Sequence, residues 1–210
     1  MKIHISNTVL VNFLLLFISP QFLSFSTAAT APQDLLRSSC AQARYPALCV
    51  QTLSNQVSPT AKPLDLAQAA VKASIARTLT LSLYLKNTLK SDLAVVSKTK
   101  NNRKRVALSD CVAQASDSVI ELNRALNELR KLRMGTFEWQ MSNVQTWAST
   151  AITNGNACIN GVNRCDAEVK VKKEVKRRVT EVSMFTSNAL YFINRLSDSR
   201  NPKARSNTNN

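Results

Sequence analysis

The sequence predicts an all-α protein: an up-and-down four-helix bundle preceded by an N-terminal helical hairpin and stabilised by disulfides. Three observations predict it. Apolar residues recur at steps of three and four along four long segments, and no strand-like alternation bounded by turn residues occurs. The 210 residues include only three glycines, Gly135, Gly155 and Gly161, where average usage of about 7% gives roughly fifteen. Five cysteines, Cys40, Cys49, Cys111, Cys158 and Cys165, follow an N-terminal segment with the marks of an export signal, so they meet an oxidising compartment.

That first segment has Lys2, an apolar run from Val9 to Phe25 and small residues from Ser26 to Ala29, and it reads as a secretory signal peptide over 1–29, cleaved after Ala29. The competing reading is a membrane anchor, but Asn12 and Pro20 interrupt the run. Cleavage leaves residues 30–210 with a net charge of +14 and removes His4, the one histidine.

Residues 30–61 are too short for a bundle member. With Pro46 between Cys40 and Cys49, they read as a small helical hairpin in which those two cysteines are close enough to clip the loop. The bundle is assigned to 62–197. Its first helix runs from Pro63 to about Lys90, with Leu66, Ala70, Ala73, Ala76, Leu79 and Leu83 as its stripe and Pro63 suited to the first turn. The second runs from about Arg103 to Arg133, after a polar connection Lys98–Arg105. Leu108, Val112, Ala115, Val119, Leu122, Leu126 and Leu129 fall at alternating steps of four and three along it, one buried face.

Thr136 is the expected cap of a third helix, whose core positions are Phe137, Met141, Val144, Ala148 and Ala151 and whose end is expected near Asn154 and Gly155. Asn154 to Cys165 then reads as a loop or a frayed end. A fourth helix starts near Asp166 with Glu168 in its first turn, and packs through Val171, Val175, Val179, Val182, Thr186, Leu190 and Ile193. The tail, 198–210, is polar, contains Pro202 and reads as disordered.

These counts exclude much chemistry. Three scattered glycines cannot build a phosphate-binding loop. Without a histidine after cleavage, Ser-His-Asp and Cys-His nucleophile systems and His-ligated metal sites are impossible, and no C-x-x-C pair supports zinc. Asp117 and Glu121, four apart, have the spacing of an acid and base on one helix face, yet such a pair is ordinarily a solvated face, so the reading is a non-enzyme with no cofactor and no metal. Trp139 and Trp147 read as helix packing. The basic run Lys170, Lys172, Lys173, Lys176, Arg177, Arg178 suits an acidic extracellular surface better than nucleic acid, which a secreted chain rarely meets. An odd cysteine count means two bridges and one leftover thiol, and spacing alone leaves the connectivity open.

Several motifs occur in order: Arg44-Tyr45-Pro46-Ala47-Leu48-Cys49 after Cys40, Ala107-Leu108-Ser109-Asp110-Cys111, Asp117-Ser118-Val119, Ser142 to Ser149 (S-N-V-Q-T-W-A-S), Thr153 five before Cys158, and Thr186-Ser187-Asn188-Ala189-Leu190. In these the chain resembles the plant invertase and pectin methylesterase inhibitor family over Cys40 to Leu196, and is most similar to the pectin methylesterase-inhibitor-like branch that includes the 21 kDa proteins.

The resemblance implies a secreted inhibitor of the apoplast and cell wall. It would occlude the pectin-binding cleft of pectin methylesterase in a one-to-one complex, with no nucleic acid as partner and no membrane attachment after signal cleavage. It implies the pairs Cys40–Cys49 and Cys111–Cys158 with Cys165 as the free thiol. It implies partner contacts at Thr153 and, one turn earlier, Ser149, with Asn154, Asp110, Gln114, Asp117 and Glu121 as further contact residues. Where the family commonly reads T-D-x-x-T-C, this chain has Thr153-Asn154-Gly155-Asn156-Ala157-Cys158, and Val112-Ala113-Gln114 replaces the usual acidic residue after the third bridge cysteine, so the surface is less acidic. The Pro-Lys-Phe motif of invertase inhibitors is absent, which disfavours acid invertase as target. A third reading is a cationic wall protein that binds de-esterified pectin, or another acidic wall polymer, directly through its basic faces. Residues 30–210 contain no N-x-S/T sequon.

Overall fold

A computed structural model of the chain describes residues 31–58, 60–95 and 102–200; the expected signal peptide and the end of the polar tail lie outside the described residues. Among the described residues, two short helices, α1 (Ala31–Cys40) and α2 (Pro46–Leu53), precede four long ones, α3 (Pro63–Val95), α4 (Asn102–Leu129), α5 (Phe137–Arg164) and α6 (Val169–Arg200). At 28 to 33 residues each, the long helices span roughly 40–50 Å. Each packs on its neighbours in sequence and α6 closes the square against α3, which is the up-and-down bundle topology.

Local chemistry fixes the ends. Pro63 opens α3, and the Asp65 carboxylate accepts the Lys62 backbone N–H at 2.9 Å, satisfying a donor ahead of the first turn. Between α4 and α5 the buried Gln140 side chain binds three groups of the turn: its Oε1 accepts from Arg133 N–H at 2.8 Å and Thr136 Oγ1 at 3.1 Å, and its Nε2 donates to the Lys131 carbonyl at 3.0 Å. The Thr136 hydroxyl therefore serves Gln140, and it makes no cap hydrogen bond to α5.

The core forms two apolar clusters. One lies at the hairpin end and includes Leu53, Val71, Leu129, Met141, Val144 and Ile193. The other lies at the far end and includes Leu85, Leu108, Cys111, Val162, Val175 and Val179. Between them sit buried hydroxyls, each satisfied: Ser74 Oγ and Thr186 Oγ1 pair across α3 and α6 at 2.6 Å, Thr78 donates to the Ser74 carbonyl at 2.8 Å, and Ser118 on α4 donates to the Gln114 carbonyl at 2.8 Å. Paired hydroxyls bury at little cost, whereas unpaired ones would not.

That belt corrects the α3 stripe. From Ser74 onward the inward positions are Ser74, Thr78, Leu81, Ser82 and Leu85, and Ala76, Leu79 and Leu83 face outward. The five core positions expected on α5 are all buried. On α6, Val175, Val179, Val182, Thr186 and Ile193 are buried, with Val171 and Leu190 half-buried.

The largest correction is the end of α5. Instead of stopping near Asn154 and Gly155, the helix continues to Arg164, so the expected loop from Asn154 to Cys165 is almost entirely helical. Gly155 is a packing glycine: a Cβ there would stand 3.0 Å from Val179 Cγ1 of α6. The α4 helix starts at Asn102, inside the segment read as a polar connection, and ends at Leu129. The α6 helix starts three residues after Asp166 and extends to Arg200, into the segment read as tail.

Candidate functional site

Four of the seven expected contact residues lie on α4 at steps of four, three and four: Asp110, Gln114, Asp117 and Glu121. That spacing places them on one stripe. The stripe runs beside α5, because Asp110 lines a surface groove of about 330 Å³ together with Arg103 and Val106 of α4 and Gly161 and Arg164 of α5. On α5, Asn154 shares a side with Cys158 and Gly161 at steps of four and three, so it borders the same groove line, while Thr153 and Ser149 are exposed on the crest of the helix.

The two helices are fastened beneath this face. Cys111 of α4 and Cys158 of α5 form a disulfide with their Cα atoms 4.6 Å apart, and Ser118 Oγ reaches the Ala151 carbonyl across the interface at 3.5 Å. Cys40 and Cys49 form the second disulfide, and Cys165 is a buried free thiol. Relative motion of α4 and α5 is thereby restrained, which is what a surface that must present fixed polar groups requires.

The individual groups differ in readiness. Asp110 and Asp117 are exposed. Glu121 is engaged with Arg124 one turn away at 2.9 Å, an ordinary surface ion pair. Thr153 Oγ1 donates to the Ser149 carbonyl at 3.2 Å, which leaves its oxygen lone pairs and its methyl group facing solvent. Gln114 is the exception: its Oε1 is buried and accepts no hydrogen bond among the described residues. Nothing in the sequence signals that sealed oxygen, which depends on how α4 seats against its neighbours.

At the far end of the bundle, Lys104 is buried and its ammonium binds both Glu168 carboxylate oxygens, at 2.8 and 2.9 Å, tying the start of α4 to the turn before α6. Hydrogen bonding from Lys104 holds the Glu168 carboxyl below its usual range. Glu174 is held at about 2, first by its hydrogen bond from Arg177 and also by Arg178. Glu168 was expected inside the first turn of α6; it stands one residue before the helix and serves Lys104 instead. Trp147 is half-buried against the hairpin-end core, but Trp139 is 66% exposed beside Met134, contrary to its reading as packing.

Among the described residues, no three His, Cys, Asp or Glu side chains gather as metal ligands, and no helix is long and apolar enough to cross a membrane. A disulfide-tied four-helix bundle with a bridged N-terminal pair of helices, presenting a polar two-helix face, defines a class of all-α protein whose visible surface features suit binding. The chain belongs to the plant invertase/pectin methylesterase inhibitor family, whose family model matches residues 34–192. It is similar to Pectinesterase inhibitor 3 of Arabidopsis thaliana, at 43% identity over 176 residues covering 80% of this chain and 82% of that one. It is similar also to the 21 kDa protein of Daucus carota, at 32% identity over 176 residues covering 82% and 88% of the two chains. A solved structure of a mutant form of a pectin methylesterase inhibitor from Arabidopsis shares the fold, with a TM-score of 0.57 over 76% of this chain and 95% of that one at 16% identity.

Proposed function

We propose that this protein is a secreted inhibitor of plant pectin methylesterase that binds the enzyme one to one in the cell wall and occludes its pectin-binding cleft with the α4–α5 face. The observation that carries the reading is its 43% identity to a protein named as a pectinesterase inhibitor, across most of both chains. Its own geometry supports the choice of surface. Thr153, Ser149 and Asn154 on α5 and Asp110, Gln114, Asp117 and Glu121 on α4 form neighbouring polar rows on two helices locked by Cys111–Cys158. Occlusion needs no reacting group on the inhibitor, only a rigid complementary surface of about 800 Å² per partner.

Electrostatics would act on the rate and pH range of association more than on its ultimate strength. The contact face carries carboxylates on a chain whose net charge is +15, so the partner meets a local acidic stripe within a basic field.

The test is a titration of disulfide-bonded residues 30–210 against purified pectin methylesterase, with acid invertase in parallel. Occlusion predicts a complex of one inhibitor per enzyme in which pectin competes with the inhibitor: inhibitor in excess over enzyme raises the apparent KM for pectin and leaves kcat unchanged. Loss of invertase activity with the esterase untouched would overturn the target. Inhibition insensitive to pectin concentration would overturn the mechanism.

A further inference from the structure

We propose that the end of the bundle remote from the hairpin is a second binding site, for a polyuronate with free carboxylates, and that it retains the inhibitor on the product of the esterase it blocks. The polymer's identity rests on the proposed function; the anionic character of the ligand does not.

The antiparallel topology brings the start of α4, the end of α5 and the start of α6 to this one end. The groove between α4 and α5 has Arg103 and Arg164 among its lining residues, and Lys172 Nζ donates to the Asn163 carbonyl at 3.1 Å, folding the start of α6 back on the end of α5. From there Lys170, Lys173 and Lys176 follow at steps of three, all exposed, on the side of α6 away from the buried Val175 and Val179. Arg105 is half-buried nearby in the chain on α4. The balance of charge here is one-sided. Of the described carboxylates at this end, Glu168 is held by Lys104 and Glu174 by Arg177 and Arg178, which leaves Asp110 and Asp166 against the seven cations just named.

A row of ammonium groups and, at the same end of the bundle, two guanidinium groups at a groove match a ligand with carboxylates repeated along a chain. The guanidinium groups suit paired oxygens, and the lysines act as point charges along the polymer. Among the described residues the large exposed aromatic, Trp139, lies at the opposite end, and Tyr84 is covered by the Arg178 guanidinium at 4.2 Å, so these residues offer no platform here for stacked bases. Hydrolysis of a pectin methyl ester by water leaves a carboxylate and releases methanol and a proton. Each turnover of the esterase therefore adds one ligand group for this patch, and the inhibitor concentrates where de-esterification has already occurred.

The experiment measures retention of the secreted, disulfide-bonded protein on immobilised polygalacturonate, on fully methyl-esterified pectin and on duplex DNA, with ionic strength raised through about 0.15 M, where the screening length is about 8 Å. A triple variant, Lys170→Gln, Lys173→Gln, Lys176→Gln, is run beside it, and both proteins are titrated against the esterase. The expected result is retention on polygalacturonate that falls with salt and weak retention on the esterified polymer. If each cation contributes about fivefold, as at an anionic membrane surface, the variant binds roughly a hundredfold more weakly, with esterase inhibition unchanged. Equal retention on both pectins, undiminished binding by the variant, or tighter retention on DNA at the same salt would overturn the proposal. Failure of the inhibitor reading shows separately, as an esterase that stays active while retention persists.

Discussion

Asn188 of α6 grips the backbone of Tyr45 on both sides. Its Oδ1 accepts the Tyr45 N–H and its Nδ2 donates to the Tyr45 carbonyl, each at 3.0 Å. Tyr45 is the residue before Pro46 at the start of α2. One buried amide thus satisfies both polar groups of a residue at the corner between α1 and α2, 143 positions away in the chain. Tyr191 Oη, donating to the Ser39 carbonyl at 3.0 Å, holds the end of α1 to the same stretch of α6.

Asn188→Ala should therefore destabilise the protein by about 1–3 kcal/mol, since two backbone groups lose their partner in a partly buried site. The effect should concentrate in the hairpin: amides of residues 31–53 should exchange faster while those of α4 and α5 keep wild-type protection. Uniform acceleration across the chain would show that the clasp is not local.

Gly155 and Gly161 make opposite predictions on one helix. Gly161 has nothing within 4 Å of a built Cβ, so Gly161→Ala should gain the helix propensity of alanine, about 0.5–1 kcal/mol, read as a rise in the denaturation midpoint. Gly155→Ala meets Val179 Cγ1 at 3.0 Å, and Val179 is fully buried, so the same gain should be cancelled or reversed. Equal gains at both positions would contradict the close approach of α5 to α6.

Gln114→Met removes a buried oxygen that accepts no hydrogen bond among the described residues, while keeping the side chain's length. The variant should be as stable as the parent or more stable by about 1 kcal/mol. If Gln114 also turns outward to meet the esterase, the same variant should inhibit less well, giving a stability gain and an activity loss in one protein. A less stable variant would mean that the amide has a partner the structure does not show.

The pH dependence of stability follows from two lowered carboxyls. Glu168 and Glu174 both titrate below the usual glutamate value in the folded protein, so the unfolded chain takes up protons first as pH falls. Their stabilisation is complete above about pH 5 and is lost as pH falls from there through the folded values, toward about 2 for Glu174. Thermal midpoints measured from pH 8 to 2 should be level through the neutral range in these groups' contribution and then decline. Lys104→Met should remove the Glu168 part of the decline.

Much of this architecture could be read from spacing alone. Phe137, Met141, Val144, Ala148 and Ala151 are buried where a period of 3.6 puts them, because every residue at those positions is apolar and the exposed positions between them, Trp139 apart, are polar. On α3 the expected stripe holds at Leu66, Ala70 and Ala73 and departs from the core at Ala76, Leu79 and Leu83, for the converse reason. Its sequence is apolar on several sides, and the register was decided by Ser74, whose burial depends on a hydroxyl of Thr186, 112 residues away. Asn154 and Gly155 carry the usual marks of a helix end, yet α5 runs through them, since the reason for the glycine is Val179 on another helix. At the candidate site the α4 residues follow from the family resemblance, and their four-three-four spacing sets them on one stripe. The groove with Arg103 and Arg164 was not legible in the sequence, because it exists only once α5 extends to Arg164.

The central claim is that the α4–α5 face closes the esterase cleft. The most direct test is the inhibition constant of Thr153→Arg, on the exposed crest of α5, against that of Thr80→Arg, on the exposed side of α3, with both variants shown to melt like the parent. Thr153→Arg should weaken inhibition by tenfold or more, about 1.4 kcal/mol, while Thr80→Arg inhibits as the parent does. Full inhibition by Thr153→Arg, with the loss appearing in Thr80→Arg, would contradict the account and move the contact surface to α3.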